Sequence, residues 1–444
     1  MSLSVYAKMT DSGIEWVGDV PSHWVEKPLF ALVTERDASN AGMIEDNLLS
    51  LSYGRIVRKD IENNDGLLPV SFETYQIVEP NDIVWRLTDL QNDQRSLRTA
   101  LVSERGIITS AYLTTQPCGI VAAFLSYLLR AYDLTKVFYS MGGGLRQSMK
   151  FADVKRLPVK LPPDAEQVSI VAFLDRETAK IDALIQEQRR LIALLKEKRQ
   201  AVISHAVTKG LDPHAPMKDS GIEWLGAVPA HWEVSKLGYH AKLQSGYAFS
   251  STDFGIEGIP LVRMNNLARG RLDLTAAVCI PEASSNYRVA LKEGDLIWGM
   301  SGSIGETGSL GNFARVSEAD LPCQLNQRVG RFVSSKCLSL DYLEFIIQSD
   351  AFQKQTLLFV TGTAQFNVSG EQVQSILVTV PPQAEQPVIT AFLRRTLSGY
   401  AQLVAEAVSS IDLLNERRAA LISAAVTGKI DVRGAASAEE REAA

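Results

Sequence analysis

Between Asn81 and Leu113 the chain sets Arg86, Arg95 and Arg98 among Asp89, Gln91 and Asn92. In the major groove of a duplex, arginine pairs with guanine O6 and N7, asparagine or glutamine with adenine N6 and N7, and aspartate accepts from cytosine N4. A solvated loop has the same composition, and both readings stand at this point. A glycine-rich passage, GDLIWGMSGSIGETGSLG from Gly294, carries Ser301 and Ser303 between glycines spaced three apart. It suits tight turns, or a close approach of backbone N–H groups and hydroxyls to phosphates and base edges. Arg146, Gln147 and Lys150 precede one helical pattern, Gln365 and Asn367 precede another, and Arg263 with Asn265 sit at the end of a predicted strand. These too have donors and acceptors that reach a groove, with turn formation as the alternative.

Other chemistries lack their residues. A dinucleotide site needs GxGxxG between strand and helix, and a phosphate loop needs GxxxxGK[ST]; neither occurs. The double prolines in LPPD and VPPQ lack the flanking residues of an adenine methyltransferase motif. The four cysteines form no CxxC pair and the five histidines no HExxH, so reduced thiols and no metal site are expected. No catalytic set appears.

The elements that must position the candidate residues are duplicated. LPPDAEQVSIVAFLDRETAKIDALIQEQRRLIALLKEKRQAVISHAVTKGLDP, from Leu161 to Pro213, returns without a gap as VPPQAEQPVITAFLRRTLSGYAQLVAEAVSSIDLLNERRAALISAAVTGKIDV, from Val380 to Val432, with close to half the positions identical. Each copy opens on two prolines and an acid, as helix starts do. Apolar residues then keep helical spacing: Leu174, Ile181, Leu195 and Val202 in the first copy, Leu393, Leu414 and Leu421 in the second. Such long stripes must bury themselves, and the economical partner of one copy is the other. Gln188, Arg199 and Arg418 interrupt the stripes where they can fix register.

A second repeat precedes each variable region: DSGIEWVGDVPSHW from Asp11 and DSGIEWLGAVPAHW from Asp219. Its tryptophans are apolar anchors, and His23 and His231 beside them read as structural. The expected division is a loose N-terminus over 1–10, a domain over 11–160, a helix over 161–213, a domain over 214–379, a helix over 380–432 and a disordered tail over 433–444. Strands are predicted near Leu48–Ser52, Tyr75–Val78, Ile83–Trp85, Ile107–Leu113, Pro260–Met264 and Asp295–Trp298, and helices at Ile120–Ala131 and Leu340–Phe352.

At 444 residues and 46% hydrophobic content the chain can fill two or three domain cores. Its net charge of −6 is an average that does not exclude nucleic acid, since binding depends on charge over one face. With no apolar run long enough to span a bilayer and no signal-peptide pattern at its start, a cytoplasmic location is expected.

The arrangement resembles the specificity subunit of type I restriction–modification systems. The resemblance is carried by the twin DSGIEW blocks, by GDLIWGMSGSIGETG, by DIVWRLTDLQNDQRSLR with GIITSAYL, and by the twin PPxAEQ helices ending ISxAVT. Trp298-Gly299-Met300 departs from the frequent arginine-bearing context before SGSIG. The resemblance implies a mixed α+β fold in which two globular target-recognition domains are joined by two long helices. These form an antiparallel coiled coil with internal pseudo-two-fold symmetry. It also implies a non-catalytic reader of a bipartite, asymmetric double-stranded DNA target. Two modification subunits, which carry the S-adenosylmethionine, and ATP-dependent restriction subunits are its implied partners. A catalytic DNA methyltransferase and a coiled-coil adaptor that meets no DNA are the rival readings.

Overall fold

The double prolines at Pro162-Pro163 and Pro381-Pro382 end strands and begin helices, as their missing N–H groups require. In the computed structural model, which describes residues 4–60, 71–90, 97–141, 148–268, 270–305, 308–362 and 365–434, the helices run over Asp164–Lys209 and Glu385–Val426. At 46 residues the first is about 69 Å long. Gln167 and Gln386 fold back to donate to the carbonyls of Pro162 (2.9 Å) and Pro381 (3.1 Å), closing both helix starts in the same way. Gly210 (φ +75°) and Gly428 (φ +69°) end them in the left-handed conformation that glycine adopts without strain.

The chain divides into two units, Met1–Arg189 with Val408–Ala444, and Arg190–Ala407, so each unit takes part of both helices. In the first, Ile170, Phe173 and Leu174 share one apolar cluster with Ile422, Ala425 and Val426, and Leu421 packs against it. In the second, Ile203, Ala206 and Val207 share a cluster with Ile389 and Leu393, and Val202 packs against it. Ile181 and Leu195 are buried as well, and Leu414 is half-buried. Of the two matched arginines, Arg418 pairs with Asp182 on the other helix at 3.2 Å, whereas Arg199 donates to Gln348 at 2.9 Å.

Each unit is built around a four-stranded antiparallel sheet. In the first unit the order is Val33–Glu35, Leu113–Pro117, Ile83–Trp85, Thr99–Leu101. In the second it is Ala241–Ser245, Val329–Ser334, Leu296–Gly299, Phe313–Arg315. The connectivity is the same, although the two sequences are only weakly alike. A further strand pair ties the entry of each variable region to its exit: Val25–Pro28 with Pro158–Leu161, and Glu233–Lys236 with Leu377–Val380.

Four expectations are corrected. Residues 4–10 are held in place: Tyr6 donates to Glu166 (2.7 Å), Met9–Asp11 pairs with Asp19–Pro21, and Ser4 bridges Asp431. Arg433 pairs with Asp431 and lies over the Tyr6 ring, so the assigned tail begins after it; residues 435–444 lie outside the described residues. The run Ile107–Leu113 is two strands, because the N–H of Tyr112 turns back to Thr109. The helix expected over Leu340–Phe352 is also two, Leu340–Ile346 and Asp350–Leu358, because the Ser349 hydroxyl caps the second by accepting the Phe352 N–H.

Candidate nucleic-acid interface

The two sheets launch their candidate loops from the same turn. Asn81 (φ +73°) and Gly294 (φ +82°) take the left-handed position, and their N–H groups donate to Val102 and Val316, both at 2.9 Å. Asp82 accepts the Glu79 N–H at 2.8 Å, and Asp295 accepts that of Lys292 at 2.9 Å. Each aspartate is also met by an arginine, Arg36 at 2.5 Å and Arg331 at 3.1 Å. Burial pushes the Asp82 carboxyl up, against the pull of the Glu79 N–H and Arg36. The strands then bury Trp85 and Trp298, which meet Phe138 and Phe352 edge-on at 5.9 and 6.3 Å.

In both units the described residues after the tryptophan meet a second segment. The Met149 N–H donates to the Leu87 carbonyl at 2.8 Å, and the Val368 N–H donates to the Met300 carbonyl at 2.9 Å. In each unit, therefore, the loop and the short segment before a long helix lie together. These are the candidate segments that lie far apart in sequence. Arg86 is half-buried and Lys150 exposed in the first unit; Ser303 and Gln365 are exposed and Asn367 half-buried in the second. The Gln365 amide donates to the Ser301 hydroxyl at 3.1 Å, and Ser301 pairs with Asn367 across a short ladder. Arg263 is half-buried with its guanidinium 6.0 Å from the Phe254 ring, and Asn265 next to it is exposed.

Two expected readers are not on the surface. Arg98 is fully buried and donates to the carbonyls of Thr88 and Asp89. Ser301 is fully buried under the Gln365 amide. A group with no exposed surface cannot meet a base edge, so both act from within. Asp89 is half-buried with φ +57°. Gln91, Asn92, Arg95, Arg146 and Gln147 lie outside the described residues. Sequence reasoning missed Asp133 and Tyr139, which hold Arg98 from two successive helices; no local pattern marks such a partner.

A family model for the type I restriction modification DNA specificity domain matches residues 229–403. The specificity subunit of the type I restriction enzyme MjaVIII from Methanocaldococcus jannaschii is 24% identical over 364 residues, covering 80% of this chain and 81% of the relative. Over most of its length this chain is similar to a type I specificity subunit, and its residues 229–403 match the DNA specificity domain. The EcoKI specificity subunit of Escherichia coli K12 is 23% identical to this chain over 319 residues, 70% of this chain and 66% of that one. A solved chain from work on complex assembly and conformational transition of the type I R-M system shares this chain's fold, with a TM-score of 0.68 at 15% identity over 93% of this chain and 99% of that one.

Proposed function

We propose that this chain reads a bipartite, asymmetric double-stranded DNA target, one half-site by each unit. The observation that carries this reading is the repeated joining of the segment after the strand tryptophan to a pre-helix segment, on two sheets of the same connectivity, within a chain that carries a DNA specificity domain. Because the loops differ in sequence, the half-sites differ. Arg86 and Lys150 would serve the first half-site, with Gln91, Asn92, Arg95, Arg146 and Gln147. Arg263, Asn265, Ser303, Gln365 and Asn367 would serve the second.

The two long helices pair antiparallel as a spacer. The sharing of apolar clusters supports this, since the start of the first helix clusters with the end of the second in one unit, and the reverse in the other. Leu184, Leu191 and Leu194 on the first helix, and Leu403, Val408 and Leu413 on the second, stay exposed and give two modification subunits apolar surface to dock on. The chemistry belongs to those partners: methyl transfer from S-adenosylmethionine, and ATP-dependent action by restriction subunits. The chain itself is the reader.

Mapping of methylated bases in cells expressing the modification subunit, with and without this chain, tests the reading. A split, asymmetric motif that disappears with the chain, and changes in one half when residues 233–379 are exchanged, is the expected result. Specific S-adenosylmethionine binding by the isolated chain would favour a methyltransferase, and methylation indifferent to the chain would favour an adaptor.

A further inference from the structure

The first unit buries an arginine that base reading does not use. Arg98 has no exposed surface. Its Nε donates to the Tyr139 hydroxyl at 3.2 Å, its Nη1 to the Thr88 carbonyl at 3.1 Å and its Nη2 to the Asp89 carbonyl at 3.4 Å. Its backbone N–H donates to Asp133 at 2.5 Å, and its guanidinium carbon lies 5.3 Å from the centre of the Tyr139 ring. Taking a guanidinium out of water is costly, and an apolar side chain of similar volume often fills such a place at no loss of stability. What the arginine supplies is direction, because a rigid planar fork fixes the carbonyls of two consecutive residues together. One of those residues, Asp89, holds φ +57°, a conformation that a non-glycine residue adopts at a cost. Thr88 and Asp89 follow Leu87, which meets Met149, so the fork grips the loop where it joins the segment that carries Lys150.

The second unit reaches the same end by another device. The Gly299 N–H donates to the Asn312 carbonyl at 2.7 Å, as that of Arg86 does to Arg98 at 2.7 Å, so Asn312 stands on the rung of Arg98. Its short amide turns away to Leu267 at 3.3 Å. Gln353 follows the phenylalanine that stacks on the strand tryptophan, as Tyr139 does in the first unit. Asn312 and Gln353 line an open cleft of about 510 Å³, where the first unit is filled by the stacked Arg98 and Tyr139. The second loop is held instead by a backbone ladder, Ser301-Gly302 against Phe366-Asn367.

We infer that Arg98 is a positioning residue for base choice in the first half-site: without touching DNA, its fork sets the shape of residues 86–89 and so where Arg86 and Asp89 point. The inference rests on the DNA-reading function proposed above. Its test is methylation mapping with the full chain and its modification subunit, comparing the parent with Arg98→Met, Arg98→Lys and Tyr139→Phe, the first half-site being identified by exchange of residues 25–160. With Arg98→Met, methylation should spread at least tenfold onto sites mismatched in the first half, while the second half stays strict. Arg98→Lys should restore part of the discrimination, and Tyr139→Phe, which keeps the ring and loses the acceptor, should relax the same half to a smaller degree. A motif left strict in both halves by Arg98→Met overturns the inference alone. If Arg98→Met abolishes all methylation, Tyr139→Phe decides: relaxation of the first half sustains the inference, and a strict motif overturns it. Methylation that persists without the chain overturns the DNA-reading function and the inference together.

Discussion

The indole N–H of Trp24 donates to the carboxylate of Glu166 at 2.9 Å, and that of Trp232 donates to Glu385 at 3.0 Å. The histidines beside them complete both latches, His23 at 2.8 Å and His231 at 2.7 Å. Each duplicated block is thus tied to the acid of a duplicated helix start. The latches differ in depth: Glu166 is 5% exposed and also accepts from Tyr6, whereas the Glu385 side chain is 40% exposed.

Removing the two acids should therefore have unequal effects. Glu166→Ala leaves the Trp24 indole and the Tyr6 hydroxyl without their acceptor in a buried place, and should cost about 2–4 kcal/mol. Glu385→Ala, screened by solvent, should cost less than about 1 kcal/mol. Urea unfolding midpoints at neutral pH check this; equal losses would contradict the difference in depth.

Acidification should weaken the first latch. Burial alone would push the Glu166 carboxyl up, but hydrogen bonds from His23, Tyr6 and Trp24 hold it below the ordinary glutamate value. A depressed pKa gives stability that is present above the ordinary value, near 4.5, and is lost as pH falls through the depressed one. A Glu166→Gln chain should thus lose less stability than the parent on acidification below pH 4.5. Parallel curves in that range would remove the latch as the cause.

Asp133 has the opposite sign. Burial raises its carboxyl from 3.8 to about 6, against the pull of the Arg98 N–H and nearby cations. Its charged form is the disfavoured one, so stability is lost as pH climbs from about 4 past about 6. Asp133→Asn keeps an oxygen for the Arg98 N–H and should flatten that decline, as measured by melting temperature across the range. An unchanged slope would mean that Asp133 is not the group titrating there.

Gly428→Ala should destabilise the first unit by about 1–3 kcal/mol. The glycine holds φ +69°, and an added methyl would lie 2.2 Å from Pro21. At Gly210 (φ +75°) the nearest atom, on the Trp232 ring, is 3.2 Å away, so alanine should be tolerated better there. Thermal melts of the two variants should rank them in that order.

Shortening the spacer should alter the gap between half-sites and leave their sequences alone. Seven residues span about 10 Å of helix, close to three base pairs. Deleting a heptad within Ala183–Lys196, with the matching heptad of the second helix, should shift the methylated motif by about that gap or prevent assembly. Full activity on the original spacing would rule out the helices as its ruler.

The helices and latching blocks were legible because they are duplicated, and a repeat exposes which residues matter. The shared sheet was not, since only Asp82 and Asp295, with Trp85 and Trp298, mark it, and strand pairing across some 30 or more residues leaves no local pattern. For the site, composition pointed to the right segments but not to the role of each side chain. Arg98 reads like its neighbour Arg86 until Asp133 and Tyr139, from two helices some 35 to 41 residues further along the chain, enclose it. The split of the helix expected over Leu340–Phe352 was overlooked for the opposite reason: Ser349 is an ordinary cap signal inside an otherwise continuous apolar pattern.

The second unit is one continuous stretch of chain, Arg190–Ala407, while the first needs Ile422, Ala425 and Val426 to complete its core. On the ribosome, where the chain emerges from its N-terminus, the domain made last can close first. The domain made first must wait, with an apolar surface uncovered, until the final helix arrives. A truncation that removes Ile422, Ala425 and Val426 would then fall on the beginning of the protein.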